Sequence, residues 1–97
     1  MKTIDEIKSL LSAHKTDVCQ KYKVSEIGVF GSFVRGEQKR RSDIDILVDF
    51  YEIPDLFKFI ELEEYFHKLL RKKVDLIDKQ GIRPELKDRI LKEVVYI

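Results

Sequence analysis

Asp43 and Asp45 constrain this chain most. In Ser42-Asp-Ile-Asp-Ile-Leu-Val-Asp-Phe50 they alternate with Ile44, Ile46 and Val48. A strand puts alternate side chains on opposite faces, so both acids project from one face while the isoleucines bury the other against helices. A helix would scatter them. Upstream, Ile27-Gly-Val-Phe30 is a short apolar run closed by Gly31. Four residues suit a buried strand that turns at the glycine.

Around this pair the chain reads as helices on a small sheet. Thr3 followed by Glu6 has capping-box spacing, and Ile4, Ile7, Leu10, Leu11 and Val18 recur on one face, predicting a helix that ends near Tyr22. Pro54 and Asp55 suit the opening turn of a second long helix buried through Leu56, Phe59, Ile60, Phe66 and Leu70. Lys72 to Ile77 reads as another strand, Pro84 opens a final helix, and Val95-Tyr-Ile97 is left ambiguous. The fold class is α/β (α+β), with helices packed on one face of a small mixed β-sheet. With 97 residues the chain is expected to form a single domain, 1–97, with no room for a separate acceptor-binding domain.

Composition narrows the function classes. Hydrophobic residues make up 43% and charged residues 38%, as in a soluble globular chain. Lys and Arg total 19 against 18 Asp and Glu, and a net charge of +1 gives no global field for nucleic acid or an anionic membrane. The clusters Lys39-Arg-Arg41 and Arg71-Lys-Lys73 are read as solvated loops, so direct nucleic-acid binding is disfavoured. Cys19 is the single cysteine, and no apolar run reaches the roughly 18 residues of a membrane span. The N-terminus mixes acids and lysines into its apolar positions, unlike a secretory signal, so a cytoplasmic protein is expected. His14 and His67 have no second ligand at metal spacing.

The chemistry concentrates in Ile27–Phe50. Glycine after a strand lets backbone approach an oxyanion, and a helix starting at Ser32 aims free amides at phosphates, with a hydroxyl added. Two carboxylates on one strand face can share hard divalent cations, and magnesium bridged to phosphates needs only one or two protein ligands. Asp75, in Val74-Asp-Leu-Ile77, is the candidate third carboxylate, with Asp78 its less favoured substitute. Each has a plainer reading: exposed strand ends for the acids, a turn for Gly31, a helix cap for Ser32. Arg35 is placed between a phosphate contact and an ion pair with Glu37 or Asp43. Tyr65 and Phe66, with Phe57 and Phe59, are expected to divide between core and an exposed patch.

Gly-Ser, ten residues, Asp-x-Asp, then a later apolar strand bearing Asp resembles the polymerase-beta-like nucleotidyltransferase superfamily. The string GSFVRGEQKRRSDIDILVDF, with KKVDLID and RPELKDRILKEVVYI, is most similar to its minimal nucleotidyltransferase family across nearly the whole chain. The resemblance implies the polymerase-beta-like fold and matches Gly31 and Ser32 to the triphosphate-holding pair. It matches Asp43 and Asp45 to the metal ligands and Asp75 to the third catalytic, metal-binding acid. It also implies two Mg2+ ions, ATP as substrate and a hetero-oligomer with a HEPN-type ribonuclease toxin, neutralised by AMP transfer to a toxin tyrosine. Two competing readings stand beside it: a steric antitoxin with an idle pocket, and the catalytic subunit of a two-chain small-molecule or RNA-end nucleotidyltransferase.

Overall fold

The computed structural model describes residues 2–97. Helix α1 spans Ile4–Tyr22, and Thr3 caps it by accepting from the Glu6 N–H at 3.3 Å. Strand β1, Val24–Phe30, begins three residues before the apolar run Ile27–Phe30. A four-residue helix, α2, follows at Ser32–Arg35. Strand β2 is Ile44–Phe50 and helix α3 is Leu56–Leu70. Asp55 is the α3 cap, accepting from the Lys58 N–H at 2.8 Å, so Pro54 lies before the helix rather than in its first turn. Strand β3, Val74–Asp78, runs into a short 3-10 turn at Lys79–Gly81. Helix α4, Pro84–Glu93, carries its proline in the first turn, where no amide is lost. The ambiguous end forms a two-residue strand β4, Val95–Tyr96.

The sheet order is β3-β2-β1-β4, with β1 antiparallel to β2 and β4, and β2 parallel to β3. This mixed α/β arrangement agrees with the sequence reading. Alternation divides each strand between two apolar clusters. Ile44, Ile46, Val48, Val74 and Leu76 join Ile7, Leu11, Val18, Leu62, Phe66 and Leu70 of α1 and α3 in the main core. Leu47 and Ile77 alternate with these residues and so belong to the opposite face, where they meet Phe30, Ile90, Leu91 and Val94. Helices therefore do not keep to one face: α4 covers part of the second, because Ile90 supplies an apolar side chain there. Phe66 is fully buried, Tyr65 and Phe59 are half-buried, and Phe57 is 84% exposed.

Candidate active site

The topology gathers the predicted residues at one end of the sheet. Because β1 and β2 are antiparallel, the C-terminal end of β1 meets the N-terminal end of β2, with Phe30 opposite Asp45. Because β2 and β3 are parallel, Asp45 then faces Asp75 in register. Asp43 lies just ahead of β2, near enough for its charge to raise the Asp45 carboxyl. The face that carries Asp45 is the one α4 covers only in part, so the acids stay accessible: Asp43 and Asp45 are half-buried and Asp75 is exposed.

Crowding like charges has a cost visible in Asp45. Burial first, then the charges of Asp75 and Asp43, push its carboxyl up to about 6, against a smaller opposing pull from Arg35. The same side chain leaves no room beside the turn. Gly31 sits at φ 84°, and a Cβ there would collide with Asp45 Oδ2. Only glycine lets β1 turn this close to the acid while adopting a conformation L side chains avoid. Gly31 is the N-cap of α2, with its carbonyl accepting from Val34 at 3.1 Å and Arg35 at 3.2 Å. Ser32 opens the helix, half-buried. First-turn amides have no acceptor inside a helix, which leaves Ser32 and its hydroxyl available to an anion.

Arg35 takes the ion-pair alternative. Its Nε donates to Glu37 Oε1 at 2.9 Å, as one of the two readings anticipated, and Asp43 is not its partner. Asp43 instead lies 4.0 Å from Lys73 Nζ, a loose pair exposed to solvent. Asp78 turns away from the acids: its carboxylate accepts from the Gln80 N–H at 3.0 Å and caps the 3-10 turn.

Glu93, which sequence reasoning did not single out, closes the arrangement. Its Oε2 accepts from the Gly31 N–H at 2.9 Å, and its Oε1 accepts from Arg35 Nη1. Burial pushes its carboxyl up, but Arg35 and the Gly31 amide outweigh that and hold it below its usual value. A signal existed in the sequence, since an acid in the last turn of a helix opposes the helix dipole and calls for a compensating partner.

The donor set can be tested against a metal ion. Among the described residues no group of three His, Cys, Asp or Glu side chains is close enough to hold one alone. Magnesium does not ask for that, since it keeps several waters and takes one or two carboxylates plus substrate phosphates. Asp45, with Asp75 opposite and Asp43 beside it, offers hard oxygen donors that a cation would relieve of mutual repulsion. The residues fit.

Comparison with known proteins gives the family. The sequence pattern of the nucleotidyltransferase domain matches residues 11–97. The chain belongs to the nucleotidyltransferase domain family. This nucleotidyltransferase is 55% identical over 97 residues to the protein adenylyltransferase MntA of Thermococcus cleftensis, covering 100% of this chain and 98% of the relative. It is similar in fold to a structure solved as a minimal nucleotidyltransferase, with TM-score 0.74 and 30% identity, covering 92% of this chain and 93% of the other. A toxin-antitoxin structure with AMP-PNP gives TM-score 0.70 at 28% identity, over 95% of this chain and 69% of that one. No described helix is long and apolar enough to cross a membrane.

Proposed function

We propose that this nucleotidyltransferase is an antitoxin that moves AMP from ATP to a tyrosine of a HEPN ribonuclease toxin, working as one minimal domain in the cytoplasm. The observation that carries the reading is the meeting of the Gly31 turn, Asp45 and Asp75 at one sheet end. End-to-end identity to a protein adenylyltransferase supports the activity, and the toxin-antitoxin structure with AMP-PNP supports both nucleotide and partner.

In this reading Ser32, with the amides at the start of α2 that the Gly31 carbonyl does not take, holds the triphosphate, and Arg35 lies close enough in sequence to add a charge to it. Asp43, Asp45 and Asp75 would hold two magnesium ions, which would supply positive charge to neutralise the phosphates. A phenol of pKa about 10 needs a base near neutrality, and Asp75, the most exposed of the three acids, accepts that proton. The tyrosine oxygen forms its bond to the alpha-phosphorus in line with the breaking bond to the bridging oxygen, and pyrophosphate departs with those electrons. Burial, and then the charges of Asp75 and Asp43, hold Asp45 up at about 6 in the free protein, so it is poised to gain from a cation rather than satisfied without one.

The reading is tested with ATP labelled at the alpha-phosphate, incubated with this chain, magnesium and a HEPN-type toxin as the proposed acceptor. Label should pass to the HEPN chain and be lost with Asp75→Asn. Full neutralisation of the toxin without any label transfer would replace the reading with steric inhibition.

A further inference from the structure

Glu93 ends α4, and its side chain is only 15% exposed, yet it spends both carboxylate oxygens on residues of the candidate site. One goes to the backbone of a turn at positive φ, the other to a guanidinium that also pairs with Glu37. A side chain serving only to fasten α4 would be satisfied by Arg35 alone. The bond to the Gly31 amide instead fixes the peptide that leads into Ser32.

The grip is anchored on both sides. Before it, Ile90 packs with Phe30 and Leu47 on the same face as the acids. After it, β4 joins β1 at once: Val95 opposes Val29, Tyr96 opposes Gly28, and the Ile97 N–H donates to Ile27 O at 2.9 Å. Gly28 has no side chain, which lets Val94 and Tyr96 close against β1. The strand that ends in the Gly31 turn is thus the strand on which the chain after Glu93 is laid, so carboxylate and turn are held in one frame.

We propose that Glu93 is a positioning residue for nucleotide binding, pre-ordering the Gly31 turn and setting Arg35 beside it. The proposal rests on the nucleotidyltransferase reading and extends it to a residue 62 positions from the turn. Since the Gly31 amide is already taken by Glu93, and the Val34 and Arg35 amides by the Gly31 carbonyl, phosphate meets Ser32. Glu93 touches no substrate and acts through the turn. Removing it leaves the amide unpaired and frees Arg35 to settle on Glu37, so an incoming nucleotide must order the site itself. The effect falls on nucleotide affinity more than on the chemical step.

The test is equilibrium binding of AMP-PNP with magnesium to the full chain, beside transfer kinetics, for wild type, Glu93→Ala and Glu93→Gln. Glu93→Ala should bind about tenfold or more weakly, and KM for ATP should rise more than kcat falls. Glu93→Gln should lose only about threefold, because its amide oxygen still accepts from Gly31 while its charge for Arg35 is gone. If the alanine variant does not fold, the glutamine variant carries the test. Unchanged affinity in a folded variant would overturn the proposal. So would tighter binding, which would make Glu93 a competitor of phosphate, or equal losses that merely follow thermal stability. A wild type that binds no AMP-PNP would sink the nucleotide reading itself, and the role of Glu93 with it.

Discussion

The two ends of the sheet are built on opposite terms. Where β1 ends and β2 and β3 begin, Asp45 presses against a glycine at φ 84°, and burial with the charges of Asp75 and Asp43 pushes its carboxyl up to about 6. Where β1 begins and β2 ends, the link into α3 exposes Tyr51, Ile53, Leu56 and Phe57, with Ile53 at 88%. A cavity of about 240 Å3 opens there, between Tyr22, Ile53, Pro54 and Lys58. A larger cavity, of about 440 Å3 and lined by Lys2, Arg40, Arg71 and Lys72, lies just before β3 begins, so both ends are concave and only the acid end carries repulsion that folding alone does not reward. Local instability held in place by register is the stronger mark of chemistry, and concavity by itself marks none.

The contrast breaks most visibly if the acids are removed. Asp43→Ala with Asp45→Ala should lower AMP transfer by about a thousandfold or more while leaving the circular dichroism spectrum of the wild type. Retained transfer would return those residues to a solvent-exposed strand end. Gly31→Ala should follow, destabilising by about 1–3 kcal/mol in urea unfolding and abolishing nucleotide binding, since the added Cβ meets Asp45 in a disfavoured conformation.

Asp45→Asn sharpens the comparison in the other direction. The folded carboxyl titrates above its ordinary value, so the native state binds the extra proton, and stability falls as pH rises from about 4 to about 6. The penalty is full above pH 6 and is lifted on acidification. After allowance for solvent screening of a half-buried group, the asparagine variant should gain about 1 kcal/mol at pH 7 without metal, and nothing near pH 3. Urea unfolding at both pH values measures it. The smallest effect belongs to the other end: Phe57→Ser should change stability by about 0.5 kcal/mol or less and leave AMP-PNP affinity untouched.

What was legible in the sequence was local. Gly31-Ser32 and Asp43-x-Asp45 sit close along the chain, and strand alternation predicts the two acids on one face. The strands and long helices followed from periodicity, though β1 starts at Val24, ahead of its apolar run, because Val24 is buried while Ser25 and Glu26 interrupt the pattern. Asp75 was legible as an acid on a later apolar strand, but its place opposite Asp45 was not, since parallel pairing with β2 is set by packing rather than by its neighbours. Glu93 stayed hidden because its partners lie 62 and 58 residues away. The cover of α4 on the second face was missed for a related reason: the apolar side chains meeting it come from three different strands and none forms a local stripe.

The most direct test of the central claim is the intact mass of a HEPN-type toxin, the proposed partner, after incubation with this chain, ATP and magnesium, beside the Asp43→Ala, Asp45→Ala double variant. The expected result is one or more AMP-sized increments on the HEPN chain with wild type and none with the variant. Two folded, co-purifying chains with no increment in either sample would contradict catalytic neutralisation and leave an antitoxin that acts by binding alone.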